Sequence, residues 1–299
     1  MKHFLPYFYI IIFSLTNGYL SAQDSTIYIS LEKFPGGALL YSNYNTANYN
    51  HKGKSGKIQI EEFRCDFIIP KTLIPKKRYL LNRPMYIGLK VKNEYDISIT
   101  QTNFHSFSWG IGLLEKMNNN WTLLGFVTPI LASDFDKSLS SKDFIFESSA
   151  LVYKRANVHL EYGFGYIYST RFGKQSLWPV FSTIYKKNNW GLYMILPSYL
   201  SIFRDIKDSR VGLSCTIFRE NYNFNHNTFS GNKIEKLSFG RINIGPEVEL
   251  KLYKNIYLNA HTGYTVANTL TSITDHNGMN LELPNRWFLT FGLNLLVGS

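Results

Sequence analysis

Seven histidines, His3, His51, His105, His159, His226, His261 and His276, are the residues of this 299-residue chain best suited to acid–base or metal chemistry. A hydrolase built on one of them would need a serine within hydrogen-bond reach and an acid behind it. His159, with Glu161 two residues on, and His261 fall on the polar side of alternating segments. A serine beside either would make a lipid hydrolase. No GxSxG elbow occurs, and polar groups that brace or hydrate an interior account for these residues more simply, so no enzyme and no catalytic residue is expected. Neither HExxH nor closely spaced cysteines occur. Asp134, Asp136 and Asp143 could hold a divalent cation, but solvated loop acids explain them better, so no metal and no cofactor is expected. Gly163-Phe164-Gly165 is too short for a phosphate cradle.

These residues must be positioned by β-strands. From Val158 to Tyr168 the sequence VHLEYGFGYIY places Val158, Leu160, Tyr162, Phe164, Tyr166 and Tyr168 on one face, against His159, Glu161, Gly163 and Gly165. A period of two is a strand with one greasy and one small or wet face, and a tilted strand needs roughly 9–11 residues to cross a bilayer. His105–Leu114 repeats the pattern with Ser106 and Ser108 on its small face, Ile256–Asn268 with Asn259 and His261, and Arg286–Gly298 with Asn294. Such strands also read at Gly37–Tyr49, Lys57–Ile68, Met85–Thr100, Trp121–Ser133, Phe144–Tyr153, Leu177–Tyr185, Trp190–Leu196, Tyr199–Arg204, Arg210–Arg219 and Leu237–Leu252. Before residue 104 the phase slips and Pro70, Pro75 and Pro84 interrupt. Gly245-Pro246 predicts a kink, because proline cannot donate to the ladder.

Connections alternate in length, as outer-membrane barrels require. Lys116–Asn120, Lys154–Asn157, Lys187–Asn189, Asp205–Ser209 and Tyr253–Asn255 are tight. Asp134–Asp143, Thr170–Ser176, Glu220–Lys236 and Ala267–Asn285 are longer, with a short break near Pro197 between them. Both termini then fall on the tight-turn side. The loop Glu220–Lys236 carries Tyr222, Phe224, His226 and Phe229, which would contact a ligand or fold over the mouth. Trp121, Tyr153, Trp190 and Tyr253 border tight turns, and Trp178 and Trp287 border long loops, forming two membrane girdles.

The first 22 residues read as a signal peptide, with Lys2, the apolar stretch Phe4–Leu15 and the small residues Ser21 and Ala22. The barrel domain is then 23–299, as one domain. No second stretch is long and apolar enough for a helical span. A mean hydropathy of −0.15 is compatible with barrel strands, whose alternation averages out. Aromatic residues reach 16%, which suits a lipid-facing surface. The net charge of +11 is scattered through turns such as Lys76-Lys77-Arg78, without a nucleic-acid motif. Two cysteines, Cys65 and Cys215, make no disulfide framework.

The segments Asn118–Phe135, Ser141–Lys154 and Phe172–Asp205 share a theme of turn, Asn-Trp, apolar strand and distal proline. In this they resemble a family of Gram-negative outer-membrane β-barrels catalogued only as a domain of unknown function. The resemblance implies a barrel and an outer-membrane address, and brings no activity and no functional residues.

The sequence therefore predicts an all-β, antiparallel up-and-down transmembrane β-barrel of about 12 strands, within a range of about 10–14. The expected function is a passive pore or a structural membrane component, with Ser106, Ser108, His159, Glu161, Asn259, His261 and Asn294 lining the lumen. A surface-binding barrel with a closed lumen and a lipid hydrolase are the alternatives. Expected partners are outer-membrane lipid and lipopolysaccharide, the barrel-insertion machinery and, through an open lumen, small solutes.

Overall fold

The computed structural model describes residues 35–296 apart from 52–53, 96–97, 119, 171–174, 225–235 and 274–278. The expected signal peptide lies outside the described residues. The strands are β1 (Pro35–His51), β2 (Lys54–Phe67), β3 (Ile69–Ile74), β4 (Arg78–Tyr95), β5 (Ser98–Lys116), β6 (Trp121–Ser133), β7 (Phe144–Arg155) and β8 (Leu160–Ser169). They continue as β9 (Ser176–Lys187), β10 (Trp190–Leu196), β11 (Tyr199–Ile206), β12 (Ser209–Asn223), β13 (Lys236–Tyr253), β14 (Ile256–Ile273), β15 (Met279–Glu282) and β16 (Arg286–Leu296). Each pairs antiparallel with its neighbour, and β1 pairs with β16, which closes the sheet into a barrel.

The barrel has 14 strands rather than about 12. β3 and β15 add none, because β3 continues β2 along β4 beyond a break at Ile68, and β15 lies in line with β16 along β14. The register slips at Tyr44/Ala47 in β1 and at Thr72/Ile74 in β3, and such slips shift the side-chain phase, which is why the alternation before residue 104 reads poorly in the sequence. Met85–Thr100 is not one strand: β4 ends at Tyr95 and β5 begins at Ser98. β12 runs to Asn223 and β14 to Ile273, well into stretches expected to be loop.

One rim carries the tight turns and the first and last described residues. Five of its turns hold a non-glycine residue with positive φ: Lys76, Asn120, Asn188, Lys207 and Lys254. The sixth is braced by the Asn157 side chain, which accepts from the N–H groups of His159 (2.8 Å) and Leu160 (3.0 Å). Outward residues of the barrel form an exposed apolar band, for example Phe107, Trp109 and Ile111 on β5, Tyr162, Phe164 and Tyr166 on β8, and Trp287, Leu289 and Phe291 on β16. A belt of this extent marks a surface that meets membrane rather than water.

The wall is uneven. β4, β5, β13 and β14 have 18 or 19 residues, whereas β10 has 7 and β11 has 8. At about 3.3 Å per residue the tall strands span roughly 60 Å, about twice a hydrocarbon core. Their outward faces change character on the way up: β2 passes from Phe63 to Glu61, Gln59 and Lys57, and β4 carries Lys90, Lys92 and Glu94. Above the low wall the end of β12 crosses to the end of β6. Asn223 pairs with Ser133, and the Asp134 N–H donates to the Asn223 carbonyl at 3.3 Å. The tall strands thereby close on themselves into an upper storey at the loop rim, above a wider lower storey.

Candidate functional site

Inside the upper storey the inward residues pack into an apolar plug. It contains Tyr44, Ile58, Ile60, Leu89, Phe104, Tyr222, Phe224, Phe239 and Phe288, none more than 4% exposed. Phe104 meets Tyr222 and Phe224 with ring centroids 5.3 and 5.5 Å apart, across the seam where β12 joins β6, and Tyr44 on β1 meets Phe239 on β13 edge-on at 5.9 Å. Tyr222 and Phe224, expected on an external loop, are part of this plug.

Beneath the plug a buried ion-pair cluster crosses the barrel. Arg241 on β13 is 3% exposed. Its guanidinium donates to Glu62 on β2, to Glu220 Oε2 on β12 (2.6 Å) and, through Nε, to the Tyr44 hydroxyl on β1 (2.7 Å). Arg64 Nη2 donates to the other oxygens of Glu62 (3.3 Å) and Glu220 (3.2 Å) and stacks over Phe218 at 4.4 Å. Two guanidiniums thus face two carboxylates, each acid bridging both bases. Breaking such a buried set by removing one charge is costly, although the intact set adds little net stability. The sequence carried no signal for it, since Arg241 and Glu62 are 179 residues apart.

Below this cluster lies a cavity of about 360 Å³, reaching from Thr170 and Asn221 at the step in the wall down to Arg210 and Asn294 near the tight-turn rim. Arg83 on β4 forms a two-pronged pair with Asp66 on the adjacent β2 along its wall (2.9 and 2.6 Å). Glu247 and Glu249, two residues apart on the inner face of β13, form its lower wall. Glu247 accepts from the Tyr199 hydroxyl (3.0 Å) and Asn259 Nδ2 (2.9 Å). Glu249 accepts from Asn294 Nδ2 (2.8 Å) and Arg210 Nη1 (3.5 Å), and Arg210 also binds Asp205 at 3.0 Å. These two glutamates were missed because the expected kink at Gly245-Pro246 obscured the phase. The register in fact shifts at Ile242/Asn243, and Pro246 stays in line opposite Leu213. The alternation Glu247-Val248-Glu249-Leu250 was the available signal. The rest of the lower storey is filled by Tyr79, Leu81, Leu114, Leu124, Leu151, Tyr153 and Val180.

Of the residues expected along the lumen, Ser106, Ser108, Glu161, Asn259, His261 and Asn294 are buried, and Ser106, Asn259 and Asn294 border the cavity. His159 is a correction: it is exposed, precedes β8, and its Nδ1 lies 2.9 Å from the Lys186 carbonyl in the tight-turn rim. Of the girdle residues, Trp190, Tyr253 and Trp287 are more than half exposed and point outward, and Trp121 stands outward beneath the Lys154 ammonium at 5.1 Å. Tyr153 and Trp178 are corrections. Both lie at strand ends but on the inward phase, Tyr153 with Leu151 and Trp178 with Val180. Position along a strand cannot assign a girdle; the phase does.

The glycines also act differently from the open-lumen expectation. A Cβ on Gly163 would lie 2.6 Å from Cδ1 of Tyr153, its direct cross-strand partner. Gly112 under Phe126, Gly56 under Tyr49 and Gly191 under Phe203 repeat the arrangement. Each inward glycine makes room for a ring lying flat on the neighbouring strand, so these glycines help fill the interior.

A serine does lie beside His261, with Ser214 Oγ 3.0 Å from Nε2. Ser214 is 1% and His261 6% exposed, the Phe288 ring stacks edge-on at 4.8 Å, and neither residue borders the cavity. The nearby carboxylate of Glu247 is engaged by Tyr199 and Asn259. The pair lies between β12 and β14, away from the cavity lining. In the loop between β6 and β7, Asp143 accepts from the Ser140 N–H and from Asn223 Nδ2 (2.7 Å), tying the loop to the end of β12. Partial burial pushes the Asp143 carboxyl up, but its bonds from Ser140, Asn223 and Ser133 outweigh that and hold it below the usual carboxylate range. Among the described residues no group of three or more His, Cys, Asp or Glu side chains is placed to hold a metal ion.

A family model described as Domain of unknown function (DUF6268) matches residues 25–277. Among curated proteins nothing matches the chain. Solved structures similar to it include the translocator domain of autotransporter NalP from Neisseria meningitidis (10% identity, 87% of this chain and 88% of that one, TM-score 0.36). Another is the beta domain of the Bordetella autotransporter Brka (10% identity, 87% and 99%, TM-score 0.31).

Proposed function

The chain belongs to the DUF6268 family, a domain family of unknown function, and we propose that it is a structural barrel of the bacterial outer membrane whose lumen is sealed. It reaches that membrane behind the signal peptide read at 1–22, is inserted by the barrel-assembly machinery, and sits in lipid and lipopolysaccharide through its apolar belt. It catalyses no reaction. The observation that carries the sealed reading is the Arg241 bridge from β13 to Glu62 on β2 and Glu220 on β12, beneath the plug in which Tyr44 on β1 meets Phe239 on β13. A passive pore would require this plug to part.

Conductance in a planar bilayer tests the seal. The detergent-refolded wild type, shown to be folded by heat-modifiable gel migration, is expected to insert without unitary steps. Reproducible steps from that protein would overturn the sealed reading in favour of a pore. Cell fractionation tests the address, and recovery as a soluble periplasmic species would sink it.

A further inference from the structure

The cavity in the lower storey has no role in a sealed scaffold, and its charges do not balance locally. Asp66 is matched by Arg83, Glu220 by Arg64 and Arg241, and Glu249 by Arg210, while of the two other charged residues on the lining Glu147 accepts from the Ser169 hydroxyl and Arg219 donates to the Thr269 hydroxyl. Among the described residues no ion pair reaches Glu247, whose bonds come from a phenol and an amide, both neutral. Arg210 does not relieve it, being shared between Glu249 and Asp205, and Asp205 also takes Lys186 at 2.7 Å. The other titratable groups facing Glu247 are Glu249 on its own strand, Tyr199 on β11 and His261, its cross-strand partner on β14. A carboxylate in a low-dielectric interior without a counter-charge favours a cation beside it.

The walls say which kind of cation. Tyr193 and Tyr199 line the same cavity with ring centroids 5.3 Å apart and tilted at 56°, beside Leu40. Aromatic faces beside a carboxylate suit an alkylated ammonium, which a ring attracts and a hydrocarbon wall tolerates, better than a strongly hydrated metal ion. A volume of about 360 Å³ lies within the range of small-molecule sites. The cavity extends toward the tight-turn rim: Arg210 is the second residue of β12 and Asn294 the third from the end of β16, and both line it.

We propose that the lower cavity is a binding site for a small organic ammonium, with Glu247 as counter-ion, Tyr193 and Tyr199 as the aromatic wall, and Asn259 orienting the carboxylate. The site does not depend on whether the barrel conducts. Calorimetric titration of the full-length refolded protein with tetramethylammonium chloride and butylammonium chloride, against sodium chloride at equal ionic strength, tests it. Saturable binding of an ammonium salt alone is expected, weakened at least tenfold by Glu247→Gln. Tyr193→Leu, which leaves every charge in place, is expected to weaken tetramethylammonium by several-fold, and it decides the matter if Glu247→Gln does not fold. No saturable heat from folded wild type would overturn the proposal, as would equal binding by a folded Glu247→Gln or an unchanged Tyr193→Leu.

Discussion

The two storeys of this barrel are built from the same strands yet solve the problem of an interior in opposite ways. In the upper storey, inward positions carry Ile58, Ile60, Leu89, Phe104, Leu237 and Phe239, and the space is packed as in a soluble core. In the lower storey the same strands, continued downward, place Arg64, Arg83, Glu247 and Glu249 around a cavity. The outer surface is reversed: charged Lys57, Lys90 and Lys92 stand outside the plug, and apolar Trp109, Ile111 and Phe291 stand outside the charged interior. Above the membrane a strand must be apolar inside and polar outside; within it, lipid covers the outside and polar groups must turn inward. The exchange happens near Phe63 and Glu62 on β2, one residue apart, and the Arg241 cluster sits at that boundary.

The comparison can be broken most severely at the boundary. Arg241→Ala leaves Glu62 and Glu220 buried with too little counter-charge and is expected to cost about 3–5 kcal/mol, measured by urea unfolding of the refolded barrel. Replacing the set with Arg241→Met, Glu62→Gln and Glu220→Gln together is expected to restore most of that loss. Next come paired truncations in the two storeys. Phe104→Ala, in the packed plug, is expected to cost about 3–5 kcal/mol, and Leu40→Ala, on the cavity wall, about 2 kcal/mol, because contacts already missing cannot be lost. Equal costs would mean that the cavity is packed in solution.

A smaller effect concerns the seam between β6 and β12. The Asp143 carboxyl is held below its usual range in the folded protein, so its contribution is present above the unfolded value near pH 4 and is lost as pH falls through the folded value. Unfolding measured between about pH 5 and 2 should show this decline, and Asp143→Asn, costing about 1 kcal/mol at neutral pH, should flatten that part of the profile. The smallest effect is expected at His159. His159→Ala, at an exposed turn, should change stability by about 0.5 kcal/mol or less, whereas Tyr153→Ala, buried over Gly163, should cost about 3 kcal/mol or more.

Much of this was legible in the residues. The strands read from alternation are present, with Met85–Thr100 divided between β4 and β5, because a period of two survives wherever one face meets lipid. The expected count of about 12 fell below the fourteen segments read because the register slips at Tyr44/Ala47 and Thr72/Ile74 blur the alternation before residue 104; above the bilayer the sense of the alternation inverts, so the ends of β12 and β14, with Tyr222, read as loop. Asn259, His261 and Asn294 were recognisable as polar residues on an apolar strand. What Asn259 and Asn294 hold, Glu247 and Glu249, was hidden by a proline that stays in the ladder.

By itself the sequence determined the strands, the tight turns with their asparagines and lysines, the side on which the termini lie and the apolar belt, all of which follow from local spacing and side-chain type. How the lumen is filled was decided only in three dimensions. Closure of the ring, the crossing of β12 to β6, the meeting of Phe104 with Phe224 and the bridge from Arg241 to Glu62 join residues up to 261 positions apart. Registers summed around a barrel set those contacts, and no short window of sequence records that sum.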